Sequence, residues 1–114
     1  MATYEQLRIA TRTTPDRVVL ELDGELDMVN SPLLRDACAG SDVAGSATLV
    51  LDLRRLSFID STGLKAIFSA RNESRRRGQQ FAVTPGSQQV ERLLSVTRLG
   101  EHLRTIATPD ELLV

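Results

Sequence analysis

Residues 48–53, TLVLDL, are apolar apart from Asp52. A run of this kind reads as a strand buried on both faces, which places it in the middle of a sheet covered by helices. After the run comes LSFIDSTGLKAIF at 56–68, where an apolar stretch gives way to an acid, two hydroxyls and a glycine. A helix is predicted from about Thr62 to Arg77, closed by Gly78. Leu64, Ile67 and Phe68 fall at i, i+3 and i+4, so they share one buried face. The later turns carry Arg71, Glu73, Arg75, Arg76 and Arg77, so the far end is solvated.

The rest of the chain repeats this alternation. LRIATRT at 7–13 and RVVLELD at 17–23 alternate as strands, and the TPD turn between them predicts an antiparallel hairpin. The first strand reads as an exposed edge, which leaves a homodimer open. Gly24 breaks the pattern, and GELDMVN reads as a loop. NSPLLRDACAG predicts a helix with Ser31 as cap, Pro32 at its first position and Gly40 at its end. SDVAGSA at 41–47 reads as a polar connection. QFAVT at 80–84 predicts another strand. PGSQQVERLLSVTRLG predicts a helix ending at Gly100, with Val90, Leu93 and Leu94 inward. LRTIA reads as a last strand. TPDELLV predicts a final short helix with Thr108 as cap, Pro109 first, and Asp110 and Glu111 in its first turn. Strands alternating with helices make this an α/β chain with parallel pairings in its second half, read as a single domain over 1–114.

Several function classes fall away. A net charge of −1 gives no bulk attraction to nucleic acid or an acidic membrane. The RNESRRRG run lies at a helix C-terminus, where cations are favoured anyway. One cysteine, Cys38, allows no internal disulfide, and with one histidine, His102, no strong metal cluster can be drawn. No cofactor or metal is therefore expected. The apolar runs are too short to span a bilayer, and MATYEQLRIA does not read as a signal peptide, so the cytoplasm is the default expectation. There is no phosphate-binding glycine loop and no nucleophile elbow. A serine hydrolase would need His102 as its base, yet His102 sits at a predicted helix end, where a cation is simply favourable. The expectation is a protein that is not an enzyme.

That leaves FIDSTGL. From spacing alone the first account is local: Asp60 or Ser61 caps the helix and Thr62 bonds a free amide. The second account is that Ser61 is a phosphorylation site. A phosphate at a helix N-terminus meets unpaired amides and the positive end of the dipole. Gly63 is read as leaving room for a partner.

These residues resemble a known family, the bacterial anti-sigma factor antagonists built on a STAS domain. VVLELDGELDMVNSPLLRDA is similar to its strand, G-E-L-D loop and first helix. TLVLDLRRLSFIDSTGLKAIFSARNESRRRGQQFAV is similar to its central strand, D-S-[ST]-G-L motif, helix and next strand. VERLLSVTRLGEHLRTIATPDELL matches its C-terminal part. The resemblance covers nearly the whole chain. It implies a mixed, mostly parallel sheet with an N-terminal hairpin and about four helices, packed mainly on one face. It also implies a partner: an anti-sigma factor that is a serine kinase of the histidine-kinase-like ATPase fold. Binding frees the sigma factor, phosphorylation of Ser61 ends binding, and a serine phosphatase resets the protein. Thr62 stands second to Ser61 as acceptor. Glu25, Asp27, Asp60, Ser61, Thr62, Gly63 and Lys65 make up the implied partner face, with Asp60 beside the phosphate. Lys65 departs from the family, which often has a small residue there. A second reading is a STAS subunit of a stress-signalling assembly that does not act directly on a sigma factor.

Overall fold

The structure is a computed structural model, and it describes residues 6–113. Four strands form one sheet in the order β1-β2-β3-β4: β1 is Leu7–Thr13, β2 Val18–Leu26, β3 Thr48–Ile59 and β4 Gln80–Val83. β1 and β2 are the antiparallel hairpin, while β2–β3 and β3–β4 pair in parallel. The helices are α1 (Ser31–Ala39), α2 (Ser41–Ala44), α3 (Ser61–Arg76) and α4 (Gln88–Thr97), followed by a 3-10 turn at Leu99–His102.

The strands' alternating positions build two layers. Leu20, Leu22, Leu49, Leu51 and Leu53 join Leu34, Cys38, Leu64, Ile67, Val90 and Leu94 in the main core, so the long helices share one face. Burial there pushes the Cys38 thiol up to about 11, which leaves it a packing residue rather than a thiolate nucleophile. On the other face Val19, Val50 and Ala82 meet Ile106, with Leu113 packed against them. Helices do not cover that side: a C-terminal segment does.

That segment corrects two expectations. The last strand is reduced to one parallel bridge, Val83 to Thr105, with Val83 N donating to Arg104 O and Ile106 N to Val83 O. The final helix is absent, and residues 107–113 form bends, a turn and irregular chain. Arg17 explains why. Its guanidinium is buried, and Nη1 donates to the carbonyls of Pro109 and Glu111, both at 2.9 Å. Glu111 also folds back so that Ala107 N donates to its Oε1 at 2.8 Å. A buried cation needs such partners, and turning both carbonyls toward Arg17 holds this segment on a non-helical path.

Asp52, the one charge in the central run, is buried but fully bonded. Arg54 Nε and Nη2 and the Thr84 hydroxyl each donate to its carboxylate at 3.0 Å. Burial alone would raise its pKa; the bonds from Arg54 and Thr84 prevail and hold the carboxyl below the usual carboxylate range.

Both β2 and β3 run further than their sequences suggest. β3 continues through RRLSFI because it carries bulges opposite β2. It advances from Asp52 to Arg55 while β2 moves from Glu21 to Asp23, and from Leu56 to Phe58 while β2 moves from Gly24 to Glu25. An extra residue in one strand breaks period-two alternation and hides the strand. Gly24, at φ +116°, belongs to β2 rather than ending it. The loop thus shrinks to residues 27–30. Elsewhere, a short α2 stands where a polar connection is predicted. α4 ends before Gly100, at Arg98 in the left-handed region (φ 62°). Among the described residues no helix is long and apolar enough to cross a membrane.

Candidate functional site

Because β2 and β3 are parallel neighbours, their C-terminal ends lie at the same edge of the sheet. After β2 comes the loop 27–30, and after β3 comes the first turn of α3. The C-terminal ends of parallel strands are where α/β sheets place their functional loops.

Asp60 joins the two. It is the N-cap of α3, in extended geometry, and its Oδ1 accepts the Gly63 amide at 2.7 Å. Its Oδ2 accepts the Met28 amide at 3.0 Å, and its own amide donates to Leu26 O at 3.2 Å. The capping account is thus correct for Asp60. Neither Ser61 nor Thr62 takes part in it. Both oxygens of Asp60 are engaged within the chain, where they tie the loop after β2 to the first turn of α3.

Ser61 is the first residue of α3, exposed, and its hydroxyl has no hydrogen bond among the described residues. Thr62 is half-buried. Lys65 is exposed, one turn further along, with no ion pair among the described residues.

Gly63 departs from its expected role. It is buried, and a Cβ there would lie 2.6 Å from Leu26 O and 2.9 Å from both Ile59 Cγ1 and Leu26 Cγ. The room it leaves is already filled by β2. The glycine lets α3 start hard against the strand end, and it offers a partner no surface.

The loop is shaped by its own polar groups. Asp27 Oδ1 accepts the amides of Val29 at 3.0 Å and Asn30 at 3.1 Å. Asn30 returns the contact: its Oδ1 accepts Asp27 N and its Nδ2 donates to Glu25 O, both at 2.8 Å. Asn30 is therefore the N-cap residue of α1 by position but bonds backward into the loop, and α1 has no side-chain cap at all. Ser31, expected as cap, is instead the first helical residue. Glu25 is exposed on β2, in register with Phe58.

Three large apolar side chains are exposed on these segments. Met28 is 67% exposed, Val29 46% and Phe58 39%. Met28 and Val29 lie in the loop that Asp60 holds, while Phe58 is placed by its register opposite Glu25.

Residues that sequence reading misses complete the frame. The Gln89 side chain pairs with Ile59 like a neighbouring strand, accepting its amide and donating to its carbonyl at 2.9 Å each. Ser87 Oγ donates to Ser57 O at 2.9 Å, and Ser57 Oγ donates to Gly24 O at 3.0 Å. Asn30, just before Ser31 and Pro32, is visible as a capping type, whereas Gln89 gives no local signal.

His102 is exposed at the end of the 3-10 turn, and no group of His, Cys, Asp and Glu residues fit to hold a metal forms among the described residues.

Comparison with known proteins agrees with this geometry. The STAS domain model matches residues 8–112. An anti-sigma-B factor antagonist of Listeria monocytogenes is 28% identical over 95 residues, 83% of this chain and 82% of its own length. An anti-sigma factor antagonist from Mycobacterium paratuberculosis shares the fold at a TM-score of 0.82, with 23% identity over 96% of this chain and 93% of the other. The Bacillus cell fate determinant SpoIIAA, in its phosphorylated form, shares it at 0.66, with 22% identity over 91% of this chain and 93% of the other.

Proposed function

The chain belongs to the STAS domain family, and we propose that it acts as an anti-sigma factor antagonist switched at Ser61. In the unphosphorylated form it binds an anti-sigma factor, a serine kinase of the histidine-kinase-like ATPase fold, and so frees a sigma factor. The observation that carries the reading is the placement of Ser61. It is an exposed, unbonded hydroxyl at a helix start, beside a loop that presents Met28 and Val29. The Listeria relative bears the name of that role.

The division of labour is simple. The kinase brings ATP and Mg²⁺. Ser61 Oγ attacks the γ-phosphorus, the hydroxyl proton passes to a base of the kinase, and ADP leaves. Ser61 needs no activation by this chain, and the neighbouring Asp60 carboxylate is already engaged by the Gly63 and Met28 amides. The product carries about −1.5 to −2 charges next to Asp60. Burying an unpaired charge in an interface costs several kcal/mol, while a tenfold loss of affinity needs only about 1.4. One phosphate therefore suffices to end the complex. A serine phosphatase restores the hydroxyl.

Lys65 lies four residues after Ser61 on the same helix face, and it pairs with the phosphate once that is present. Lys65→Ala is then expected to speed dephosphorylation about two- to fivefold, the scale of an exposed helix-end ion interaction. Equal rates for the two chains would remove Lys65 from the mechanism.

The function is tested by capturing partners from host lysate on the unmodified chain and identifying them by mass spectrometry. A captured ATPase of the expected fold, which releases a sigma factor when this chain is added to their purified complex, is the expected outcome. Capture of a stress-signalling assembly with no such ATPase would favour the scaffold reading.

A further inference from the structure

We infer that the Asp60 carboxylate is a latch on the Met28–Val29 loop, and that a phosphate on Ser61 opens it. This rests on the reading of Ser61 as phosphoacceptor, and it concerns what the phosphate does inside this chain rather than at the partner.

One carboxylate holds two segments far apart in sequence: the first turn of α3 through Gly63 and the loop after β2 through Met28. Within the loop the amides of Val29 and Asn30 are held by Asp27, so the Met28 amide alone depends on Asp60. Met28 and Val29 are exposed, so packing does little to hold them. Apart from a long 3.5 Å contact from the Ser31 hydroxyl to its carbonyl, Met28 is held in place by that bond.

Ser61 is the next residue after Asp60 at the same helix end. A phosphate there is drawn to the amides and dipole that now favour the carboxylate, and it repels the carboxylate directly. The two bonds of Asp60 do not resist equally. The bond to Gly63 is shorter, at 2.7 Å, and part-buried. The bond to Met28 is 3.0 Å and exposed to solvent. The Met28 bond gives way first. Phosphorylation then weakens the complex twice: by its charge, and by releasing an apolar side chain that was held in place before the partner arrived. Preorganisation of this kind is part of affinity.

The test needs no kinase. The full chain is made ¹⁵N-labelled with phosphoserine genetically encoded at position 61, and amide exchange with solvent is followed residue by residue. Loss of a hydrogen bond to a charged acceptor speeds exchange at least about tenfold at Met28. Asn30 and Leu64 serve as controls and keep their rates. Asp60→Asn, which replaces one accepting oxygen by a donor, reproduces the Met28 effect without phosphate. An unchanged Met28 rate in the phosphoserine chain overturns the latch, even where that chain no longer binds its partner. A faster Met28 in that chain supports the latch, even if no cellular kinase is found to modify Ser61. The two readings can therefore fail separately.

Discussion

Ser61→Asp lowers affinity for the anti-sigma partner by at least about a hundredfold, while Ser61→Ala leaves it within about twofold. The contrast follows from the site. Ser61 is exposed and its hydroxyl makes no hydrogen bond among the described residues, so removing the oxygen costs the fold almost nothing. Substitutions at such surface positions usually stay within about 0.5 kcal/mol. A carboxylate, by contrast, adds a second negative charge beside Asp60, and the exposed Lys65 offsets only a small part of what burying it costs. Even a single charge costs several kcal/mol to bury, and the phosphate carries about twice as much. Titration calorimetry with the purified partner measures the difference, and matching melting curves show that all three chains are folded. Equal binding by Ser61→Asp and the unmodified chain would mean that Ser61 lies outside the contact.

Gly63→Ala gives the largest expected loss of stability near the site. The added Cβ would meet a backbone carbonyl at 2.6 Å, a distance that side-chain carbons essentially never show, with two further contacts at 2.9 Å. Alanine gains about 1 kcal/mol of helix propensity over glycine. Overpacking of this kind costs about 1–3 kcal/mol, and here the obstruction is backbone, which cannot rotate aside. The clash wins, because α3 must move away from β2. With the clash at the upper end of that range and the propensity gain subtracted, the melting temperature is expected to fall by roughly 5–10 °C. Gly40→Ala is the control: it has an ordinary φ of −59° and a single 3.4 Å contact, so its melting temperature should barely move. A Gly63→Ala chain as stable as the parent would restore the idea that Gly63 leaves space for a partner.

Gly63 also shows how far the sequence can be read. The central strand, the hairpin and α3 are legible because burial imposes a period on residues that are close in the chain. The D-S-T-G-L segment is legible as a helix start, and Asp60 does cap α3. Features set by distant partners lie beyond reach. Gly63 is glycine because of Leu26, and Asp60 is acidic partly because of Met28. Gln89 completes a strand edge at Ile59. The end of β3 is hidden because its bulges disrupt alternation, and Gly24 reads as a break although its positive φ lets β2 continue. The C-terminal helix signals are sound locally. They are overruled by Arg17, more than ninety residues earlier, whose buried guanidinium claims the Pro109 and Glu111 carbonyls.

The expected fold, a mixed sheet with an N-terminal hairpin and helices on one face, is the architecture observed. It brings the residues of the resemblance to one place through parallel pairing of β2 with β3. It also gives them different roles: Asp27, Asp60 and Gly63 build the surface, and Ser61 is the group left free upon it.

Whether Ser61 is the acceptor of the switch can be read directly. The chain is incubated with its purified partner kinase and ATP, and phosphate is mapped by tandem mass spectrometry, with Ser61→Ala in parallel. One phosphate on Ser61, and none on the Ser61→Ala chain, is expected. A phosphate on Thr62 or elsewhere, or undiminished labelling of the Ser61→Ala chain, would place the switch at another residue.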